Sequence, residues 1–175
     1  MFLVFLLSAI AVYAGGIGNA KEFMAFAKAV NSGADISEWT DDKGVVCLER
    51  DIDMSKVKKW TPIKEFKGIF DGKGFALKNW KTKQGIFQFV ADSAEVRNLR
   101  IDASCAMMVA VEGEVVAGFI AHISKGRVDN CENCAPIHYK GVPTDKSISI
   151  GGLVGQNGYL VIDCRNSGAI TAECF

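Results

Sequence analysis

Val96-Arg97-Asn98-Leu99, Val128-Asp129-Asn130-Cys131 and Val161-Ile162-Asp163-Cys164 are three versions of one pattern: an apolar residue, a small polar residue two positions on, then a second apolar one. Leu77-Lys78-Asn79-Trp80 reads as a fourth. Each is preceded by glycine and two apolar residues, at Gly68-Ile69-Phe70, Gly85-Ile86-Phe87, Gly118-Phe119-Ile120 and Gly152-Leu153-Val154. Between glycine and pattern lies a turn signal, Asp71-Gly72, Asp92-Ser93, Lys125-Gly126 or Asn157-Gly158. The opening glycines are 17, 33 and 34 residues apart. The later copies therefore carry insertions, at 102–117 and 134–151, which are expected to be loops and the first surfaces to meet a partner. Short strands repeated in this way cannot bury their apolar face alone and must stack on one another.

The repeat predicts an all-β parallel β-helix, or β-solenoid, over residues 66–175, with equivalent side chains one above another at about 4.8 Å. Leu77, Val96, Val128 and Val161 form an expected interior row. Asn79, Asn98, Asn130 and Asp163 form a polar row at a bend, where amides can bond up the stack. Trp80, Leu99, Cys131 and Cys164 return to the interior, and Cys131 and Cys164 become stacked neighbours.

Ahead of the repeats, residues 15–65 are expected to supply a helix and entry strands that cap the first coil. Asn19 with Glu22 three residues on reads as a capping box, and Gly33 stands where a helix would end. Phe23, Phe26, Ala27 and Val30 fall on one face of that amphipathic capping helix. Residues 1–14 are an apolar run too short for a bilayer span, which needs about 20 residues. With Val12 and Ala14 before a cut at Gly15, the run is expected to be a signal peptide, although no Lys or Arg precedes it. Export to the cell surface or beyond follows, with no membrane span.

Lys plus Arg and Asp plus Glu are 20 each, so no long-range field favours nucleic acid. The six cysteines permit disulfides whose pairing the sequence does not fix. Cys131-Glu132-Asn133-Cys134 is a CxxC, but it stands alone, and His122 and His138 are not at ligand spacing. The repeat itself accounts for Cys131 by packing. Asp51 and Asp53 lack the glycine and distant glutamate of a calcium loop. No Gly-x-Ser-x-Gly or His-Glu-x-x-His occurs.

With these residues in view, the chain resembles the bacterial GLUG-motif proteins. Gly152-Leu153-Val154-Gly155 looks like the motif itself, although Gly118-Phe119-Ile120-Ala121 and Gly85-Ile86-Phe87-Gln88 lack the closing glycine. Trp60-Thr61-Pro62-Ile63 with Phe66-Lys67-Gly68-Ile69-Phe70-Asp71-Gly72-Lys73-Gly74 is similar to the entry segment of such repeats. Val161-Ile162-Asp163-Cys164-Arg165-Asn166-Ser167-Gly168 is similar to their closing strand. The resemblance covers residues 45–175. It implies a right-handed β-helix in secreted and surface proteins, also found beside immunoglobulin A-cleaving peptidase domains, with no catalytic residues in the repeat.

The function expected is a non-enzymatic binding, adhesion or spacer module that needs no metal or cofactor and whose partners are glycans or proteins. Self-association through an open C-terminal edge is a further expectation. The alternative is a glycan-processing β-helix enzyme, which would have to bring Asp102, Asp129, His138 and Lys140 together. Trp39 and Trp60 are candidate sugar platforms, while Trp80 is expected in the core.

Overall fold

The computed structural model describes residues 15–110, 113–141 and 145–174. The expected signal peptide, residues 1–14, lies outside them. The helix α1 (Ala20–Ser32) forms where the capping signals place it. Asn19 Oδ1 accepts from the Glu22 N–H at 3.1 Å, and Asn19 Nδ2 donates to Glu22 Oε1 at 2.7 Å. Gly33 ends the helix at φ 69°, a left-handed conformation that glycine adopts without a Cβ clash. The apolar face of α1 buries Phe23, Phe26, Ala27 and Ala29, with Val30 half-buried.

The chain then winds repeatedly through the same sheets. The first turn contains β1 (Val46–Cys47) and β2 (Ile52–Asp53), followed by isolated bridges at Ile63 and Phe66. The second contains β3 (Ile69–Asp71), β4 (Ala76–Lys78), β5 (Lys81–Thr82) and β6 (Phe87–Val90). In the third are β7 (Glu95–Arg97), β8 (Arg100–Ile101), β9 (Ala106–Val109), β10 (Val115–Gly118) and β11 (Ala121–Ser124). The fourth holds β12 (Arg127–Asp129), β13 (Glu132–Asn133), β14 (Ile137–Gly141), β15 (Ile148–Gly151) and β16 (Val154–Asn157). The last described turn has β17 (Leu160–Ile162), β18 (Arg165–Asn166) and β19 (Ile170–Cys174). Like strands pair from turn to turn, as β1-β3-β7-β12-β17, β2-β4-β8-β13-β18, β5-β9-β14-β19, β6-β11-β16 and β10-β15. All of these pairings are parallel. The result is an all-β, solenoid-like stack.

Three expectations need correction. Val96, Val128 and Val161 do share a column, but the residue beneath Val96 is Phe70 and not Leu77. Leu77 stands between Ile52 and Ile101 in another sheet. Likewise Trp80 lies against Cys105, and Asn79 against Ser104, one corner beyond their expected rows. Ile63, not Phe70, pairs with Phe87, so the segment that resembles the repeat entry is the first strand position of its coil. Stacking in fact begins well before residue 66, with Ile17 bridged in parallel to Leu48 and β1 paired with β3.

Second, the expected loops contain strands, since β9 and β10 lie in one insertion and β14 and β15 in the other. Third, Val161 is 38% exposed while Val128 is 0%. Val161 belongs to the last described turn, so among the described residues a coil covers it on one side only.

Apolar columns fill the interior. Phe70, Phe87, Phe66 and Phe26 form a chain of ring contacts with centroids 5.1 to 6.4 Å apart. The corner after β7, β12 and β17 is made by Asn98, Asn130 and Asp163 at φ 53°, 47° and 51°, a region that asparagine and aspartate tolerate better than other non-glycine residues. Of the expected polar row, Asn98 and Asn130 bond up the stack, and Asp71 stands where Asn79 was expected. Asn130 Nδ2 donates to Asn98 Oδ1 at 2.8 Å, and Asn98 Nδ2 to Asp71 Oδ1 at 3.0 Å. Burial acts upward on the Asp71 carboxyl, but Asn98 Nδ2, the Lys73 N–H and Arg97 hold it below its ordinary range. Asn98→Ala should therefore cost about 2 kcal/mol in urea unfolding, through left-handed backbone strain and lost amide bonds. Asn98→Gly should cost less, because it removes the strain, and equal losses would contradict this account of the corner.

A lysine-lined groove beside Trp60

Trp60 is placed by contacts on three sides. Its indole stacks on Phe23 of α1 at 5.3 Å and 26°, meets Trp80 edge-on at 5.3 Å, and donates from Nε1 to the Gly85 carbonyl at 2.9 Å. Asn31, near the end of α1, ties the helix to this segment. Its Nδ2 donates to Pro62 O at 2.9 Å, and its Oδ1 accepts the Lys64 N–H at 2.7 Å. Between helix and coil this leaves a cleft of about 480 Å³ lined by Met24, Ala27, Lys28, Lys59, Trp60 and Lys64, with Ala25, Asn31 and Thr61. On the other side of Trp60 lies a depression of about 350 Å³ that includes Lys58, Lys59, Lys81, Lys83 and Trp80.

Six lysines thus border one half-buried tryptophan, and no carboxylate lines either hollow. Lys28, Lys58, Lys59, Lys64 and Lys83 make no ion pair among the described residues, and Lys81 Nζ donates to the Ser104 carbonyl at 3.1 Å. In a chain with zero formal net charge, this is a local positive field that the global balance hides. Lys58-Lys59-Trp60 was visible in the sequence. Lys28, Lys64, Lys81 and Lys83 join it only through the packing of α1 and the second turn.

The other candidates separate. Trp39 and Trp80 are buried, and neither Nε1–H has an acceptor among the described residues. Asp102 accepts from the Ser104 N–H at a turn beside β8, Asp129 is paired with Arg127 at 2.6 Å on β12, and His138 bonds Thr171 at 2.6 Å on β14. Lys140 is also on β14, opposite Glu173. The four are thus distributed over two sheets and the turn after β8. His122 accepts the Gly85 N–H at 3.3 Å, and burial pushes its pKa down, which favours the neutral ring.

Asp51 is ion-paired with Lys78 at 2.6 Å, which with the Ala76 N–H holds its carboxyl below the ordinary value. Asp53 accepts from the Ser55 N–H at 3.0 Å. Among the described residues no group of three or more His, Cys, Asp or Glu is arranged to hold a metal ion. Cys131 and Cys134 flank the two residues of β13, with Cys131 buried and Cys134 half-buried. Three extended residues span about 10 Å, which separates the two members of the CxxC.

The geometry defines an all-β, parallel solenoid-like protein with lysine-lined hollows on either side of Trp60. Among solved structures it is similar to a crystal structure of "a putative immunoglobulin A1 protease from Bacteroides ovatus", with a TM-score of 0.57 and 17% identity. The match covers 92% of this chain and 63% of that one, so the chain spans less than two thirds of that protein's length. At this identity the likeness shows the fold alone. No family model and no curated protein matches the sequence. No helix among the described residues is long and apolar enough to cross a membrane.

Proposed function

We propose that the chain is a non-enzymatic, secreted or cell-surface binding module, a right-handed parallel β-helix of the GLUG-repeat kind capped by α1, whose groove beside Trp60 takes an anionic glycan. The observation that carries this reading is the placement of six lysines, with no carboxylate, around Trp60: Lys28, Lys59 and Lys64 line the mostly apolar cleft, and Lys58, Lys81 and Lys83 line the adjoining depression. A uronic acid or sulfated sugar presents both chemistries the groove complements: an anionic group for the lysines, and C–H faces for Met24, Ala27 and the exposed rim of Trp60. The cleft also falls within the about 300–1,000 Å³ usual for small-ligand sites. Its compactness favours a sugar over a nucleic acid, which needs a basic track along its backbone.

The Bacteroides ovatus neighbour's description as a protease belongs to that protein. In this chain the separation of Asp102, Asp129, His138 and Lys140 over two sheets and the turn after β8 supports binding over cleavage.

The test is calorimetric titration with a sulfated or uronate oligosaccharide and with a neutral one of equal length, beside an assay for new reducing ends. Binding of the charged sugar alone, weakening with salt and without release of reducing ends, is the expected result. Steady release would favour the glycan-processing enzyme. Binding of an acidic peptide or a nucleic acid in place of the sugar would overturn the assignment of the occupant.

A further inference from the structure

Cys131 and Cys164 occupy equivalent places in successive coils, because Glu132 pairs with Arg165 immediately after them. Both follow a left-handed residue, Asn130 or Asp163, so both Cβ atoms leave the backbone in the same direction. The Cys131 N–H donates to Cys164 Sγ at 3.4 Å. Neighbouring strands stand about 4.8 Å apart, within the about 4.4–6.8 Å between Cα atoms that a disulfide accepts. No other described cysteine has this arrangement. Cys47 lies opposite Asp71, and the register of β9 with β14 places Cys105 opposite Ala135. Cys134 continues the β13–β18 register opposite Ser167.

We propose that Cys131 and Cys164 are a disulfide-forming pair that staples the last described coil to the one before it. The co-reactant is a low-molecular-weight disulfide. Cys131 is 1% exposed and Cys164 half-buried, so Cys164 is the member that meets the reagent. A groove of about 270 Å³ lined by Asn98, Asn130, Cys131, Asp163 and Arg165 lies beside this corner, on the Cys131 side. The hydrogen bond with the Cys131 thiol lowers Cys164 to about 7 against the opposing effect of burial, while Cys131 is pushed up by that bond and by its burial. Of the two sulfurs, that of the half-buried Cys164 is thus the one biased toward the thiolate.

The Cys164 thiolate attacks one sulfur of the reagent. An S–S bond forms at Cys164, the reagent's own S–S bond breaks, and the departing thiolate takes up the proton that Cys164 released. The Cys131 sulfur then displaces the second reagent thiolate from Cys164 Sγ, and that thiolate takes the Cys131 proton. Two cysteine thiols are oxidised by two electrons, and one small disulfide is reduced to two thiols.

The experiment is to equilibrate the reduced chain with oxidised glutathione, count thiols after denaturation in acid, and map the peptides by mass. Of six cysteines, four should remain as thiols, with a Cys131–Cys164 cross-linked peptide lighter by two hydrogens. Amide exchange in β17 and β18 should slow on oxidation. Cys164→Ser should abolish the cross-link and leave five thiols. Six remaining thiols, a stable mixed disulfide at Cys164, or a cross-link between other cysteines would overturn the proposal. The wild-type peptide map decides the matter even if a variant fails to fold.

Discussion

Phe70→Ala is expected to lower the unfolding free energy by about 3–5 kcal/mol, the range for deleting a fully buried phenylalanine. Phe70 is 0% exposed and meets Phe23, Phe26, Phe66 and Phe87 with ring centroids 5.9 to 6.4 Å away. Those partners come from α1, from the entry segment and from β6, so the cavity would open where helix and coils meet and no single segment could collapse into it. Domain stabilities run at about 5–15 kcal/mol, so the variant should unfold at a much lower urea concentration. Val161→Ala, in the same strand column but 38% exposed, should cost under about 1 kcal/mol. Similar losses for the two would contradict the order of coils described here.

The second large effect concerns the groove. Replacing Lys59 and Lys64 together by glutamate should weaken binding of a sulfated or uronate oligosaccharide about tenfold or more, which is about 1.4 kcal/mol. Both side chains are exposed and neither is ion-paired among the described residues, so the fold should be retained, as circular dichroism can verify. The residual affinity should also depend less on salt, because exposed charges are screened over about 8 Å at physiological ionic strength. Unchanged affinity in a folded variant would remove the groove from the account.

The columns of Val96 with Val128 and of Cys131 with Cys164 were legible in the sequence because their copies are 32 or 33 residues apart and turn the same corner. The second turn was not, since Asp71-Gly72-Lys73-Gly74 makes its corner with two residues more than the matching corner between Arg97 and Arg100. That difference moved Leu77, Asn79 and Trp80 out of the rows assigned to them. The insertions carried a strand signal that their length concealed: Ile137-His138-Tyr139-Lys140 alternates apolar and polar residues, and Ile137 and Tyr139 are buried. For the groove, local sequence supplied Lys58, Lys59 and Trp60, but α1 brings Lys28 from about thirty positions earlier, a placement that no repeat or motif encodes.

Glycine at the motif positions has a physical reason that the resemblance alone did not supply. A Cβ on Gly155 would stand 2.8 Å from the backbone N and O of Ala117 and from His122 O, and one on Gly118 would lie 2.6 Å from Gly155 N. The corner between β10 and β11 is therefore closed by backbone packed on backbone, and side chains are excluded where consecutive coils cross.

The most direct measurement is a titration of the 15N-labelled chain with a sulfated or uronate oligosaccharide, followed by amide chemical shifts. The account predicts saturable shifts confined to the end of α1, to residues 57–64 and to residues 80–84, with the indole N–H of Trp60 among them. Shifts confined to the 102–117 and 134–151 segments, or none at saturating sugar, would contradict it.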